Sequence, residues 1–224
     1  MLWSASGLSR RSGERRRPAR RRRPLPAGMA EHSQALSIKL ITGQPGMKER
    51  PLGTLAGLRL TATRSALIGS IALGVIVIGV MAALFNIPIG SALLGGVIVV
   101  ILHWFGELVH HVGHAWAARR TGYPMIGMRC GTLGVFATSL YPPDEPPLPA
   151  QIHIRRALGG PIFSAWLSAA AFLVILMTAR GADALWAFVL WFFFLENLIV
   201  MTLQVFIPLG FNDGATIWRW IRQR

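Results

Sequence analysis

The chain has 224 residues, 53% of them hydrophobic, and a positive mean hydropathy of +0.48. A soluble domain of this length does not normally bury so much apolar surface, so the composition indicates a membrane protein. Nine arginines among the first 28 residues carry much of the formal net charge of +14, and the rest of the chain is only mildly basic. Nucleic acid is therefore disfavoured as a partner. The single cysteine, Cys130, excludes an intramolecular disulfide framework and a cysteine-based zinc ribbon.

Residues 1–50 are predicted to form a basic, disordered N-terminal arm. The arm contains no apolar stretch ending at a small-residue cleavage site, so it does not have the pattern of a secretory signal. Two interpretations of residues 1–28 stay open. They form a solvated basic arm on the cytoplasmic face, or they lie upstream of a true start at Met29 or Met47 and are not translated.

Residues 51–224 are predicted to form one membrane-embedded domain of all-α class with about four transmembrane helices. The first span covers residues 66–85, which are uncharged and whose helical length of about 30 Å matches the hydrocarbon core of a bilayer. After a turn at Asn86–Gly90, the second span covers residues 91–118 and ends at a pair of arginines.

The segment between the second and third spans, Thr121–Gln151, is rich in glycine and then in proline. It is too broken to cross the membrane and is predicted to form a short hairpin followed by an extended loop on the membrane surface. The third span covers residues 157–179. The fourth covers residues 184–207, where Pro208 ends it. Ahead of the first span, Leu55–Thr63 alternates enough for a short strand or an amphipathic surface piece.

Basic residues set the expected orientation of the four spans. The N-terminal arm, Arg119-Arg120, Arg155-Arg156 and the C-terminal arginines fall on one side, and only Arg180 falls on the other. By the positive-inside rule the crowded side, with both termini, is cytoplasmic. We expect the membrane to be the plasma membrane.

A row of polar residues in the second span is the strongest candidate for a functional site: His103, Glu107, His110 and His114. At 100° per residue they fall within about 60° of one another on one helical face, whereas His111 points about 100° away from His110. Ionisable groups at membrane depth are costly and usually face a bundle interior, a water cavity or an ion site. The i, i+4 pair His110 and His114 has the spacing that lets two imidazoles bind one Zn²⁺.

A zinc site needs a third protein ligand, and Asp213 is the carboxylate at the right depth beside the fourth span. Although 103 positions separate His110 from Asp213, both lie toward the cytoplasmic end of their spans. The alternatives are a proton relay or an interfacial cluster for the histidines, and an ordinary turn or helix cap for Asp213. A haem site through His103 or His110 is disfavoured, because the other spans offer no second histidine as an axial partner.

The motifs of this chain resemble those of the site-2 proteases, membrane-embedded zinc metalloproteases that cleave substrates within or beside the bilayer. HHVGHAWAARRTG, at His110–Gly122, is similar to their H-E-x-x-H motif except that His111 replaces the glutamate. PLGFNDG, at Pro208–Gly214, is similar to their second motif and keeps its spacing from proline to Asp-Gly. GGPIFSAWLSA, at Gly159–Ala169, resembles the Gly-Pro start of their intervening helix. The resemblance covers about residues 52–218, with the three motifs in family order.

The resemblance implies that His110, His114 and Asp213 bind Zn²⁺, with water as the fourth ligand and a transmembrane protein or peptide as the substrate. In the family, the glutamate after the first histidine accepts a proton from that water. Here the candidates for this role are His111 and Glu107, which lies one helical turn before His110. Glu107 is also a candidate extra ligand and a candidate acceptor for an imidazole N–H, and the last is its favoured role.

Two functions follow from these expectations. One is an intramembrane zinc metalloprotease that cleaves transmembrane or juxtamembrane peptide bonds. The other is a catalytically impaired pseudoprotease or metal-binding membrane module that binds membrane partners, which is favoured by His111 and by Val205, where many relatives carry asparagine. Transport along the histidine row is disfavoured, because four spans provide little wall for a pathway without oligomerisation. Glu196-Asn197 in the fourth span is predicted to make a polar contact between helices.

Overall fold

The computed structural model describes residues 49–178 and 181–223. The predictions for the N-terminal arm up to residue 48, for Arg180 and for Arg224 therefore concern residues outside the described part of the chain. The described elements, in chain order, are β1 (Arg50–Leu55), β2 (Leu58–Ala62), α1 (Arg64–Leu84), α2 (Ile89–Arg120), β3 (Gly127–Thr132), β4 (Phe136–Leu140), α3 (Ala150–Thr178), α4 (Ala184–Leu195) and α5 (Asp213–Ile221).

Among the described residues, four helical segments are long and apolar enough to cross a membrane: Arg64–Leu84, Ile89–Arg120, Ala150–Thr178 and Ala184–Phe206. Their number agrees with the four predicted spans. The third helix begins at Ala150, well before the predicted start at Ala157. The residues just ahead of Ala157, which include Arg155 and Arg156, form the first turns of this helix.

The prediction of an all-α fold is wrong in one respect, because the described residues also form a four-stranded sheet in the order β1-β2-β3-β4. The two hairpins β1–β2 and β3–β4 are antiparallel, and β2 pairs with β3 in parallel. Two transmembrane helices separate β2 from β3 in sequence, so local patterns do not reveal their pairing. The protein is mostly helical with a small sheet.

Close contacts on both sides of α2 fix its place in the bundle. On one side α2 meets α3 at Gly113 and Gly159, where a Cβ on either glycine would fall on the backbone of the other helix. Small residues permit such close approach between membrane helices. On the other side α2 shares an apolar core with α1 and α4, which includes Met81, Val99 and Val189. The polar row of α2 therefore lies inside the protein.

The fourth span changes its helical form along its length. After α4 the chain continues as a π-helical segment, Glu196–Thr202, and then as a 3-10 turn, Leu203–Phe206. Pro208 cannot continue the helix, and α5 begins at Asp213. π-Helical segments are frequent at functional sites, and this one precedes the turn that carries the candidate ligand Asp213.

Candidate metal centre

Three side chains from two distant parts of the chain converge at one point. His110 and His114 lie one turn apart on α2, and Asp213 is the first residue of α5. Nε2 of His110 is 3.1 Å from Oδ2 of Asp213, and Nε2 of His114 is 3.4 Å from Oδ1. The two Nε2 atoms are 3.0 Å apart. The structure thus brings together the three residues that the sequence analysis proposed as ligands, and they could hold a metal ion.

The second nitrogen of each imidazole is already bonded. Nδ1 of His110 lies 2.9 Å from Oγ of Ser164, and Nδ1 of His114 donates to the backbone carbonyl of Arg156 at 2.8 Å. Because a carbonyl oxygen only accepts, His114 carries its proton on Nδ1, and its Nε2 has a free lone pair. Metal-binding histidines are usually oriented in this way by a partner for the other ring nitrogen.

Helix α3 leaves room for the two imidazoles at Gly160. A Cβ at this position would fall on the Nε2 atoms of both His114 and His110. Any larger residue would therefore displace the two rings. The absence of a side chain at Gly160 lets the backbone of α3 pack directly against the donor atoms of the two imidazoles.

The separations of the donor atoms fit a small tetrahedral cation. Four ligands placed tetrahedrally at ~2.0–2.1 Å from Zn²⁺ have donor atoms about 3.3 Å apart. Here the two Nε2 atoms are 3.0 Å apart, and each lies close to one carboxylate oxygen of Asp213, at 3.1 Å from Oδ2 for His110 and 3.4 Å from Oδ1 for His114. Two imidazole nitrogens and one carboxylate are also a ligand set found in catalytic zinc sites, which keep one position open for water or substrate. The residues present therefore fit Zn²⁺.

Asp213 is held in place by the turn that precedes α5. Asn212 caps this helix by accepting from the N–H of Ala215 at 3.0 Å, and its Nδ2 donates to the carbonyls of Gln204 and Ile207. Nε2 of Gln204 donates to Oδ2 of Asp213 at 3.1 Å. Burial favours the neutral carboxyl, but the neighbouring imidazoles outweigh it and hold the pKa of Asp213 below its usual range. Asp213 is therefore a carboxylate at neutral pH.

The candidate metal centre opens onto a cavity of about 520 Å³. Its wall includes the three converging side chains, β4 over Phe136–Ser139, and the end of the fourth span near Gln204. Glu107 and His111 also line it. The volume lies within the range of ligand-binding pockets.

His111, which the helical projection sets about 100° from His110, lies close enough to the candidate metal centre to share its cavity. His111 is buried and lines the cavity, with its ring centre 5.5 Å from those of His110 and His114. Its Nδ1 donates to the backbone carbonyl of Glu107 at 2.8 Å and lies 3.5 Å from Oε2 of the same residue. Side chains four positions apart on a helix stack above one another, so His111 lies over Glu107 at the edge of the same face.

The predicted polar row divides into two groups. His110 and His114 face Asp213, whereas Glu107 and His103 face β4 and the fourth span. Oε2 of Glu107 accepts from the N–H of Ala137 at 3.1 Å, and Nδ1 of His103 is 2.5 Å from Oε1 of Glu196. Glu107 is therefore not among the converging donor atoms. Glu196 makes a polar contact between helices, as predicted.

Arg156, which the sequence analysis treated only as a topological charge, is buried in the cavity wall. Its guanidinium lies 4.2 Å from the ring centre of Tyr141 and bonds both carboxylate oxygens of Glu145. Burial raises the pKa of Tyr141 to about 12, so this phenol stays neutral beside the guanidinium. These contacts attach the proline-rich loop 141–149 to the start of α3.

Sequence reasoning did not identify Gly160, Ser164, Gln204 and Asn212 as parts of the site. A weak signal was present for two of them, because Gly160 and Ser164 are four positions apart and thus share one face of α3. Gln204 and Asn212 carry no such signal, since their roles depend on how the chain turns after the fourth span.

Comparison with solved structures supports the fold. The chain is similar to a site-2 protease from Methanocaldococcus jannaschii, with a TM-score of 0.52 and 16% sequence identity over 79% of this chain and 72% of that chain. At this identity the likeness is one of fold, and it confirms at that level the resemblance inferred from the motifs. No protein-family model and no curated protein matches the sequence.

Proposed function

We propose that this protein is an intramembrane zinc metalloprotease that cleaves transmembrane or juxtamembrane peptide bonds, with Zn²⁺ bound by His110, His114 and Asp213. The observation that carries the proposal is the convergence of their donor atoms on the wall of a cavity. The fold shared with a site-2 protease supports the same reaction class. When bound, Zn²⁺ supplies a Lewis acid that polarises a carbonyl and activates a coordinated water.

His111 is the proposed proton acceptor. Its Nδ1 carries a proton, because that atom donates to the carbonyl of Glu107. The lone pair of a neutral imidazole is then on Nε2, which is able to take a proton from water and return it to the leaving amine.

The substrate is proposed to bind in extended form along β4. This strand lies at the edge of the sheet and lines the cavity over Phe136–Ser139. The backbone carbonyl of Leu140 accepts from the N–H of Ile126, on the β3 side of β4. Because neighbouring residues of an antiparallel strand direct their backbone groups to opposite sides, the N–H and C=O of Ser139 point away from β3. A substrate segment that has unwound from its helix into an extended form can pair with such groups by adding a strand to the sheet.

The second candidate function is a pseudoprotease or metal-binding membrane module that binds membrane partners. Two residues favour it: His111 at the position of the family's glutamate, and Val205 where many relatives have asparagine. In this alternative the metal stabilises the fold and the cavity binds a transmembrane partner without cleaving it.

The proposed environment is the lipid bilayer of the plasma membrane, with both termini cytoplasmic. The apolar faces of the four candidate spans support a lipid environment. Arg119 and Arg120 end α2 on the side of the metal centre, and Arg219 and Arg222 lie at the end of the described chain beside it. The catalytic centre would then lie near the cytoplasmic surface.

Cleavage of a fluorogenic single-span peptide by purified protein in lipid nanodiscs tests the proposal. The wild type and His111→Glu are expected to cleave, His111→Ala to lose at least about 100-fold in kcat as expected for a lost general base, and His110→Ala/His114→Ala to be inactive. Cleavage that survives the double substitution would contradict the protease proposal. Binding of the peptide without cleavage, with cleavage appearing only in His111→Glu, would favour the pseudoprotease.

A further inference from the structure

The outer edge of β4 runs beside α2 at membrane depth. Nε1 of Trp104 in α2 donates to Oγ of Ser70 in α1 at 2.9 Å, so these two residues lie at the same level of the bundle. Ser70 is six residues after Arg64, the first residue of α1, which corresponds to about 9 Å along the helix axis. The chain just before β4 reaches the same level, because the carbonyl of Val135 contacts His103. Backbone groups at such depth are tolerated only where the protein satisfies them.

Two side chains of α2 form hydrogen bonds with the backbone groups of the hairpin that face them. Oε2 of Glu107 accepts from the backbone N–H of Ala137 at 3.1 Å. The carbonyl of Val135 accepts from Nε2 of His103 at 2.7 Å. Both bonds reach backbone atoms, so they position the hairpin whatever its side chains are.

His103 is itself held from the opposite side. Its Nδ1 lies 2.5 Å from Oε1 of Glu196 in the π-helical part of the fourth span. One imidazole therefore connects the fourth span to the β3–β4 hairpin through α2. Both His103 and Glu107 are almost fully buried, at 2% exposure each.

We propose that Glu107 and His103 are positioning residues, whose bonds to the backbone of Ala137 and Val135 hold the β3–β4 hairpin against α2 and set which edge groups of β4 are open to a substrate. The Ala137 N–H is engaged by Glu107, and the alternation of the strand directs the backbone groups of Ser139 away from β3 as well. This inference rests on the proposed function only in treating β4 as the wall on which a substrate binds. It assigns Glu107 to the hairpin and not to the proton transfer.

Cys130 provides a reporter for this contact. It is the single cysteine of the chain, is half-buried, and pairs with Ala137 across the hairpin. The experiment measures the rate at which N-ethylmaleimide labels Cys130 in the full-length protein in nanodiscs. The variants are Glu107→Ala, which removes the acceptor, and Glu107→Gln, which keeps an acceptor oxygen without the charge. Asn197→Ala is the matched control, since Asn197 is a buried polar residue of the fourth span whose side chain donates to the carbonyl of Phe193 within its own helix.

Glu107→Ala is expected to raise the labelling rate about tenfold, the effect of one lost hydrogen bond on a local opening. Glu107→Gln and Asn197→Ala are expected to label at the wild-type rate. Equal rates in Glu107→Ala and wild type would overturn the proposal, and so would a rise in Glu107→Gln or Asn197→Ala as large as that in Glu107→Ala.

Peptide cleavage gives a second readout. If Glu107 acts by positioning the hairpin, Glu107→Ala raises KM more than it lowers kcat, and Glu107→Gln keeps both values at those of the wild type. Loss of kcat in Glu107→Gln with normal labelling would place Glu107 in the proton transfer and overturn its assignment. If the wild type cleaves no peptide, the proposed function fails, while the labelling rates still decide whether Glu107 holds the hairpin.

Discussion

Oδ2 of Asp213 lies 3.1 Å from Nε2 of His110, although 103 positions separate the two residues in the chain. The contact closes the site between the second span and the helix that follows the fourth span. Each partner is held independently, His110 by Ser164 and Asp213 by Gln204. A centre fixed from both sides is suited to binding a metal without large rearrangement.

Replacing Ser164 with alanine is expected to weaken zinc binding. Oγ of Ser164 is the partner of Nδ1 of His110, and loss of such an orienting group typically costs about 10–100-fold in metal affinity. Competition with a chromophoric chelator measures the change. Ser168→Ala is the control, because Ser168 is equally buried on the same helix but bonds only the carbonyl of Ser164. Similar affinities in the two variants would contradict the role assigned to Ser164.

Replacing Gly160 with alanine is expected to abolish stoichiometric zinc binding. The new Cβ would occupy the space of the two Nε2 atoms of His110 and His114 and force the rings apart. Gly79→Ala is the matched control, since Gly79 lies in α1 with no atom near its Cβ direction. Metal analysis of the two purified variants makes the comparison. Full zinc occupancy in Gly160→Ala would show that α3 does not approach the site as described.

Arg156→Lys is expected to destabilise the protein by about 1–3 kcal/mol, because lysine keeps the charge but loses the two-pronged bond to Glu145 and the stacking on Tyr141. Thermal unfolding in detergent measures the effect. Arg155→Lys, at the exposed neighbouring position, is expected to unfold like the wild type. An equal stability of both variants would contradict a structural role for Arg156.

The sequence predicted the membrane spans and the three candidate ligands, because these features depend on local patterns. A run of apolar residues near 20 in length predicts a span by itself. The i, i+4 spacing of His110 and His114 places both rings on one face, and the number of spans places Asp213 at the same end of the bundle.

The sheet and the contacts of the polar row were not predictable in the same way. The parallel pairing of Thr61 with Arg129 joins segments separated by two spans, and no local signal reports it. The division of the polar row depends on the hairpin as well, since Ala137 and Val135 decide where Glu107 and His103 bond.

Zinc content is the measurement that tests the central claim most directly. Inductively coupled plasma mass spectrometry on the purified full-length protein is expected to find about one zinc per chain in the wild type, as for a single three-ligand site. His110→Ala/His114→Ala and Asp213→Ala are expected to lose it, whereas His153→Ala, which changes a cavity histidine stacked on Trp220, keeps it. Wild-type protein without zinc, or with zinc that survives the removal of both histidines, would contradict the assignment of the metal centre.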